Sequence, residues 1–291
     1  MENNQNVLVE DLSTPNAPNI GMTDENLSVD SMFQQASLPS LAKQIFSVIP
    51  IYGPTGGLFN IRKKAAANEF ELVRREVSVV SPSASIPTSI TLEAIQDLRA
   101  QFGKEADNVI GQLLRGLAND QENTATLAFL NAQSLDGIDL NLSNSLNAET
   151  NLFEITQRVN ELVLQINSNT LRTYEAYAVI PFKPIAGIMA LHNYAGGKNL
   201  DETGLFVAHF GQTKYYVNPD ATSTKAYVGL KDTNNPSKSS GIFSPYQSQV
   251  MTGIDPATGN STYNIYNRFA ITASPLHVTG NEMFHMFDII L

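Results

Sequence analysis

From Ser89 to Ser134 the chain contains no proline, and its apolar residues recur at spacings of three and four. Ile90, Leu92, Ile95 and Leu98 open the series. Val109, Ile110, Leu113, Leu114 and Leu117 continue it, and Leu127, Phe129 and Leu130 close it. That period places them on one face of a helix. Gly103 is read as dividing the run into a short first helix and a long second one, because glycine inside a helix costs about 1 kcal/mol relative to alanine. A shaft of roughly 30 residues at about 1.5 Å per residue spans about 45 Å. Such a shaft crosses a whole domain, so the rest of the chain is expected to be arranged around it. On its other face Asp120, Gln121, Glu122, Asn123 and Thr124 form a polar block that reads as solvated.

Before the spine, Ile45–Tyr52 (IFSVIPIY) reads as a short strand leading into a turn at Gly53-Pro54-Thr55-Gly56-Gly57. A phosphate loop needs Lys and Ser/Thr after its last glycine. Leu58 and Phe59 stand there instead, so the turn is read as a plain one. Leu58–Arg62 and Glu69–Val80 alternate as two strands of a hairpin. Phe70, Leu72, Arg74, Glu76 and Ser78 fall on one face, and Glu71, Val73, Arg75, Val77 and Val79 on the other. Lys63, Lys64, Arg74 and Arg75 make this hairpin basic in a chain of net charge −10, which reads either as a solvated hairpin or as a projecting arm that docks on an acidic surface of another copy. Asp232 and Lys238, in the polar loop Asp232–Gly241, are further candidates for contacts between subunits. On this reading, charge reversal at Arg74 and Arg75 weakens assembly more than folding.

After the spine, a second amphipathic helix is predicted over about Leu152–Asn169, with Ile155, Val159, Leu162, Val163 and Ile166 on one face. A strand follows at Tyr177–Ile180, then a short helix from Pro184 through Tyr194. Strands are expected at Leu205–Phe210, Lys214–Val217, Lys225–Leu230 and Asn264–Ala273. The fold class is therefore α+β.

Met1 to about Ser40 carries Glu2, Glu10, Asp11, Asp24, Glu25 and Asp30, and the first basic residue is Lys43. Such a segment buries too little apolar surface to order itself, so it reads either as a disordered tail or as an arm that a neighbouring subunit holds. With no cysteine in the chain, disulfides, thiolate catalysis and zinc–thiolate sites are excluded. The acidic balance argues against a protein that grips nucleic-acid phosphates. No apolar run is long enough to cross a membrane, and the start of the chain lacks the pattern of a signal peptide. A cytoplasm-like compartment is expected, left by lysis if at all.

No constellation suggests catalysis. His192, His209, His277 and His285 show no metal-pair spacing. The carboxylates mark no cleft, and Tyr215, Tyr216, Tyr227, Tyr246, Tyr263 and Tyr266 read as buried contact rather than a stacking groove. No enzyme activity, cofactor or metal is expected, a hydrolase of unknown type being the alternative from a different class.

Three stretches carry a family resemblance. Ser89-Ile90-Thr91-Leu92-Glu93-Ala94-Ile95-Gln96-Asp97-Leu98-Arg99-Ala100, followed by Gly103 and Glu105-Ala106-Asp107, resembles the start of the spine helix in major capsid proteins of T-even-like tailed phages. Tyr52–Arg62 (YGPTGGLFNIR) resembles the beginning of that family's extended loop. Ala226–Lys231 (AYVGLK), Gly241–Tyr246 (GIFSPY), Tyr266–Phe269 and Ser274-Pro275 are similar to its closing strands. In this order they cover most of Phe46–Pro275.

The resemblance implies the Hong-Kong-97 capsid fold. Its parts would be an amino-terminal arm (1–42), an extended loop (53–78), a peripheral domain (43–52 and 79–133 with 252–291) and an axial domain (134–251). It also implies a major capsid protein that assembles through hexamers and pentamers into the icosahedral head shell around DNA, without sequence-specific binding. Scaffold and portal proteins would be partners, decoration proteins optional ones, the virion the destination and the host cytoplasm the place of assembly. A pentamer-only vertex protein and a nanocompartment shell are the alternatives within the fold. The extra domain that T-even proteins insert in the extended loop is missing, and the tail His277–Leu291 matches nothing in the family. Leu8-Val9-Glu10 fits the short pattern after which those proteins lose a propeptide, which makes Glu10 a candidate processing site. The expectation is that the chain is not cut there.

Overall fold

The structure is a computed structural model that describes residues 39–63, 70–79, 84–90, 96, 106–142, 148–170, 175–181, 205–232, 239–275 and 281–290. Among these the helices are α1 (Leu41–Ile45), α2 (Ala106–Gln133) and α3 (Ala148–Thr170). The strands before α3 are β1 (Ser47–Val48), β2 (Thr55–Lys63), β3 (Phe70–Ser78), β4 (Ala84–Ile90), β5 (Leu135–Asp136) and β6 (Leu140–Asn141). Those after it are β7 (Glu175–Ile180), β8 (Phe206–Phe210), β9 (Thr213–Val217), β10 (Lys225–Lys231), β11 (Gly241–Ile254), β12 (Ser261–Ala273) and β13 (Phe284–Ile290). A 3-10 turn at Asn281–Met283 precedes β13.

The chain divides into two compact units. One holds the described residues of 85–117 and 249–265, the other those of 38–84, 118–248 and 266–291. In the first, Ile110 and Leu114 of α2 are buried. There too, the turn between β11 and β12 is closed around Asp255. Its carboxylate accepts from the Ala257 N–H at 3.0 Å and the Thr258 hydroxyl at 2.7 Å, and these bonds hold its pKa below the usual carboxylate value. Gly259 takes φ +71°, a conformation that a side chain would strain.

The second unit contains the large sheet, in the order β5-β13-β10-β7-β9-β8, with β6 also on β13. Its centre, β10, pairs antiparallel with β13 on one side and β7 on the other. Ala226–Leu230 are buried throughout, which is why this strand reads as an unbroken apolar run rather than an alternation. α3 packs against β10 and the 3-10 turn through Ile155, Val159, Leu162 and Ile166, all buried. Around Phe46 the rings of Phe129 (5.7 Å), Tyr177 (6.2 Å) and Phe284 (6.4 Å) meet edge-on, joining the end of α1 to α2, β7 and β13. Such pairs add about 0.5–1.5 kcal/mol each beyond the area they bury. A four-stranded sheet runs β1-β11-β12-β4, and β2 and β3 form a sheet of two strands by themselves.

The α+β expectation and the long helix hold, with several corrections. Ser89 and Ile90 end a strand, not a helix; the segment ASIPTSI carries a proline and β-branched residues. The short first helix expected before Gly103 lies almost wholly outside the described residues, as does the one expected after Pro184. Leu41–Ile45 is helical where the strand was expected to begin, and β2 starts at Thr55 inside the predicted turn. β5, β6 and β13 were not foreseen, and β11 runs on to Ile254, past the Gly241–Tyr246 stretch that resembled a closing strand. β13 is hydrogen-bonded to β10, β5 and β6. Tyr215, Tyr216 and Tyr227 are buried in the subunit's own sheet.

Candidate assembly surface

The hairpin β2–β3 stands on a small apolar root. Ile51, Val77, Val79 and Ala270 are buried together, with Leu58 and Tyr246 packed against them. Arg268 lies over the Tyr246 ring at 5.2 Å. The Val79 N–H donates to the Pro54 carbonyl at 2.9 Å, tying the two ends of the hairpin together.

Beyond that root the hairpin is a ladder of two strands in one register from Thr55↔Ser78 to Lys63↔Phe70. Directly paired residues share a face. Phe59 is opposite Arg74, and Leu72 and Glu76 lie on that same side. All four are exposed, Phe59 by 57% and Leu72 by 64%. The Arg74 guanidinium sits 5.8 Å from the Phe59 ring centre. A two-stranded hairpin is at best marginal in water. This one presents two large apolar side chains with one charge of each sign beside them.

The candidate contact residues separate. Arg74 is on the exposed face. Arg75, its neighbour, points to the root and donates from Nη1 to the Ala273 carbonyl at 3.1 Å. Lys63 ends β2; Lys64, Lys238 and Glu10 lie outside the described residues. Asp232 is half-buried at the end of β10. Its N–H donates to Ser239 Oγ at 2.8 Å, and its carbonyl accepts from Ser47 Oγ at 3.3 Å. Its backbone is thus engaged inside the subunit. Sequence reasoning missed Phe59 and Leu72 as surface groups. Alternation sorts residues into faces but does not say which face is covered.

The polar block on α2 is a correction. Asp120 and Thr124 are exposed, but Glu122 and Asn123 are buried. Glu122 lies 3.0 Å from Lys43 Nζ and accepts from Asn267 Nδ2 at 3.2 Å. Asn123 bonds to the backbone at Pro39 and Leu41. A polar pair next to the apolar stripe was the only signal in the sequence.

Elsewhere, an open concavity of about 410 Å³ is lined by Asp136, Gly137, Asp139, Lys225, Met286, Phe287 and Asp288. Neither of the two described histidines lines it: His209 is exposed on β8 and His285 is buried on β13. Among the described residues no three of His, Cys, Asp or Glu gather as metal ligands, and no helix is long and apolar enough to cross a membrane.

Comparison with known proteins identifies the fold and the family. The structure is similar to that of Gordonia phage Cozz (13% identity, 88% of each chain covered, TM-score 0.57). It is similar to the capsid of Myoviridae phage XM1 (9% identity, 86% of this chain and 91% of that one, TM-score 0.54). A virus-like particle from Pyrococcus furiosus also matches (13% identity, 92% and 100% covered, TM-score 0.53). No curated protein matches the sequence. The profile of the family described as major capsid protein Gp23 matches residues 67–289, well over half of the chain. The architecture is the Hong-Kong-97-like capsid fold, and the chain belongs to the Gp23 family of major capsid proteins, structural subunits that self-assemble into the head shell of a tailed phage.

Proposed function

We propose that the hairpin β2–β3 is the extended loop by which one subunit grips the next, its Phe59–Leu72–Arg74–Glu76 face lying on a second copy. The observation that carries this is the exposure of Phe59 and Leu72 on one face of an isolated two-stranded sheet. Fully burying such side chains is worth about 1.5–3 kcal/mol each. Many such modest contacts repeated around a closed shell suit a subunit that must fit both hexamers and pentamers. The axial domain is taken as residues 134–251, the arm as 1–42, and the peripheral domain as the remainder outside the loop. Under this reading β13 ties the end of the chain into the axial sheet. Scaffold and portal proteins guide closure in the host cytoplasm, decoration proteins bind the finished shell where present, and the DNA inside is enclosed rather than read.

Electron microscopy and sedimentation of the expressed protein test this. The parent chain is expected to give hexamers, pentamers or closed particles, and Phe59→Ser with Leu72→Ser to give folded, unassembled subunits. Particles from the double variant equal to those of the parent would sink the assignment of this face. Pentamers without hexamers would instead mark a vertex subunit.

A further inference from the structure

The described chain begins against the middle of α2. Asn123 Nδ2 donates to the Pro39 carbonyl at 3.1 Å, and its Oδ1 accepts from the Leu41 N–H at 2.7 Å. A side-chain amide carries a donor and an acceptor side by side, as a peptide group does. Asn123 therefore grips the backbone on both sides of Ser40, much as a neighbouring strand would. Leu41 is the first residue of α1, where an N–H has no partner within the helix. Ser40, at the capping position, makes no side-chain cap bond. The Leu41 N–H is satisfied instead from 82 positions away in sequence.

The rest of the surroundings serve the same element. Glu122, next in line on α2, pairs with Lys43 at 3.0 Å. At the other end of α1, Lys231 Nζ donates to the carbonyls of Lys43 and Gln44. Leu41, Ala42 and Ile45 are fully buried beneath. A helix of five residues is far too short to persist alone. The subunit nevertheless fixes both its ends with buried or half-buried polar groups, a placement that costs stability unless every partner is present. Residues 1–38 hold six carboxylates and no lysine or arginine.

We infer that Asn123 is a positioning residue for assembly. By clamping Pro39 and Leu41 it sets the direction in which residues 1–38 leave the subunit, and hence which neighbouring copy they reach. This rests on the reading of those residues as an arm that contacts a second copy.

The experiment uses three full-length variants. Asn123→Ala removes the clamp. Asn267→Ala removes the other buried amide of the cluster, which bonds Glu122 and the Ala118 carbonyl and not residues 39–41. The third carries residues 1–36 in shuffled order. Asn123→Ala is expected to raise deuterium exchange at the Leu41 amide about tenfold and to reduce closed particles about tenfold. Asn267→Ala, at a similar loss of unfolding midpoint, is expected to keep its particles. If Asn123→Ala does not fold, Asn123→Asp keeps the acceptor for Leu41 and loses the donor to Pro39. It is then expected to give misassembled particles from a folded subunit.

Particle loss that follows the unfolding midpoint equally in the Asn123 and Asn267 variants would overturn the inference. If the shuffled chain fails to close while Asn123→Ala closes normally, the arm reading stands and the role of Asn123 falls. If the shuffled chain closes as the parent does, both fall.

Discussion

Arg75 and Ala273 are joined across the root of the hairpin, Nη1 donating to the carbonyl at 3.1 Å. One residue earlier, Arg74 faces outward over Phe59. Two adjacent arginines that look equivalent in sequence thus do different work. Arg75→Glu removes a charge-assisted bond and sets a carboxylate against a carbonyl. It should cost about 2 kcal/mol and lower the thermal midpoint by a few degrees. Arg74→Glu should stay within about 0.5 kcal/mol, as most surface changes do, while reducing assembly. Calorimetry of unassembled subunits and particle counts read the two effects separately. A midpoint that falls equally for both would show that the outer face is covered within the subunit.

Lys43 and Glu122 make a second, asymmetric pair. The lysine side chain is 48% exposed and the carboxylate 5%. Lys43→Met leaves a buried charge with Asn267 as its remaining named donor. Breaking a buried pair costs about 3–5 kcal/mol; the exposed lysine is partly screened, so about 2 kcal/mol is expected. Glu122→Gln keeps an acceptor for Asn267 and should cost about half as much. Urea midpoints of the two variants give the order, and the reverse order would mean that the Glu122 carboxylate stabilises the fold mainly through contacts other than Lys43.

These pairs show where sequence reading runs out. The faces of β2–β3, the buried face of α3 and the apolar run of β10 were legible because each follows from a local period. α1 was not. Five residues, LAKQI, carry no period, and Asn123 and Lys231 that hold them stand 82 and 187 positions away. β13 failed for a similar reason: a short strand's place depends on β10, some 60 residues before it. Glu122 and Asn123 looked solvated because burying such groups is costly until their partners are known. Phe59 and Leu72 could be assigned to a strand, but no local period says whether their face is covered.

Gly229 interrupts the buried run of β10 for a packing reason. A Cβ there would overlap the hydroxyl of Tyr177 on β7 and lie 2.9 Å from Ser240 Oγ. Tyr177 is itself fully buried and shares a bond of 3.2 Å with Ser240. Its ring has no open space to move into, since Phe46 packs on it at 6.2 Å. Gly229→Ala should therefore destabilise by about 2–3 kcal/mol through overpacking, with no direct effect on the hairpin face. Low soluble yield and a lowered urea midpoint are the expected readings. A midpoint unchanged from the parent would mean that the β7–β10 contact is looser than described.

His285 gives the subunit an acid-sensitive term above the range where carboxylates titrate. It is buried on β13, and its Nε2 makes no hydrogen bond among the described residues. Burial, and secondarily the charge of Arg158 on α3, push the imidazole below its ordinary value of 6.5. The folded chain thus takes up this proton less readily than the unfolded one. Stability from this group is complete above pH 6.5. It falls as pH drops below that value and levels off once the folded pKa is passed. One proton limits the slope to about 1.4 kcal/mol per pH unit. His285→Leu removes both the titration and the unbonded nitrogen. It should match or exceed the parent at pH 7.5 and lose less between pH 6.5 and 5.5. Urea unfolding of unassembled subunits at half-unit steps reads the difference, and parallel pH curves for the two chains would assign the acid sensitivity elsewhere.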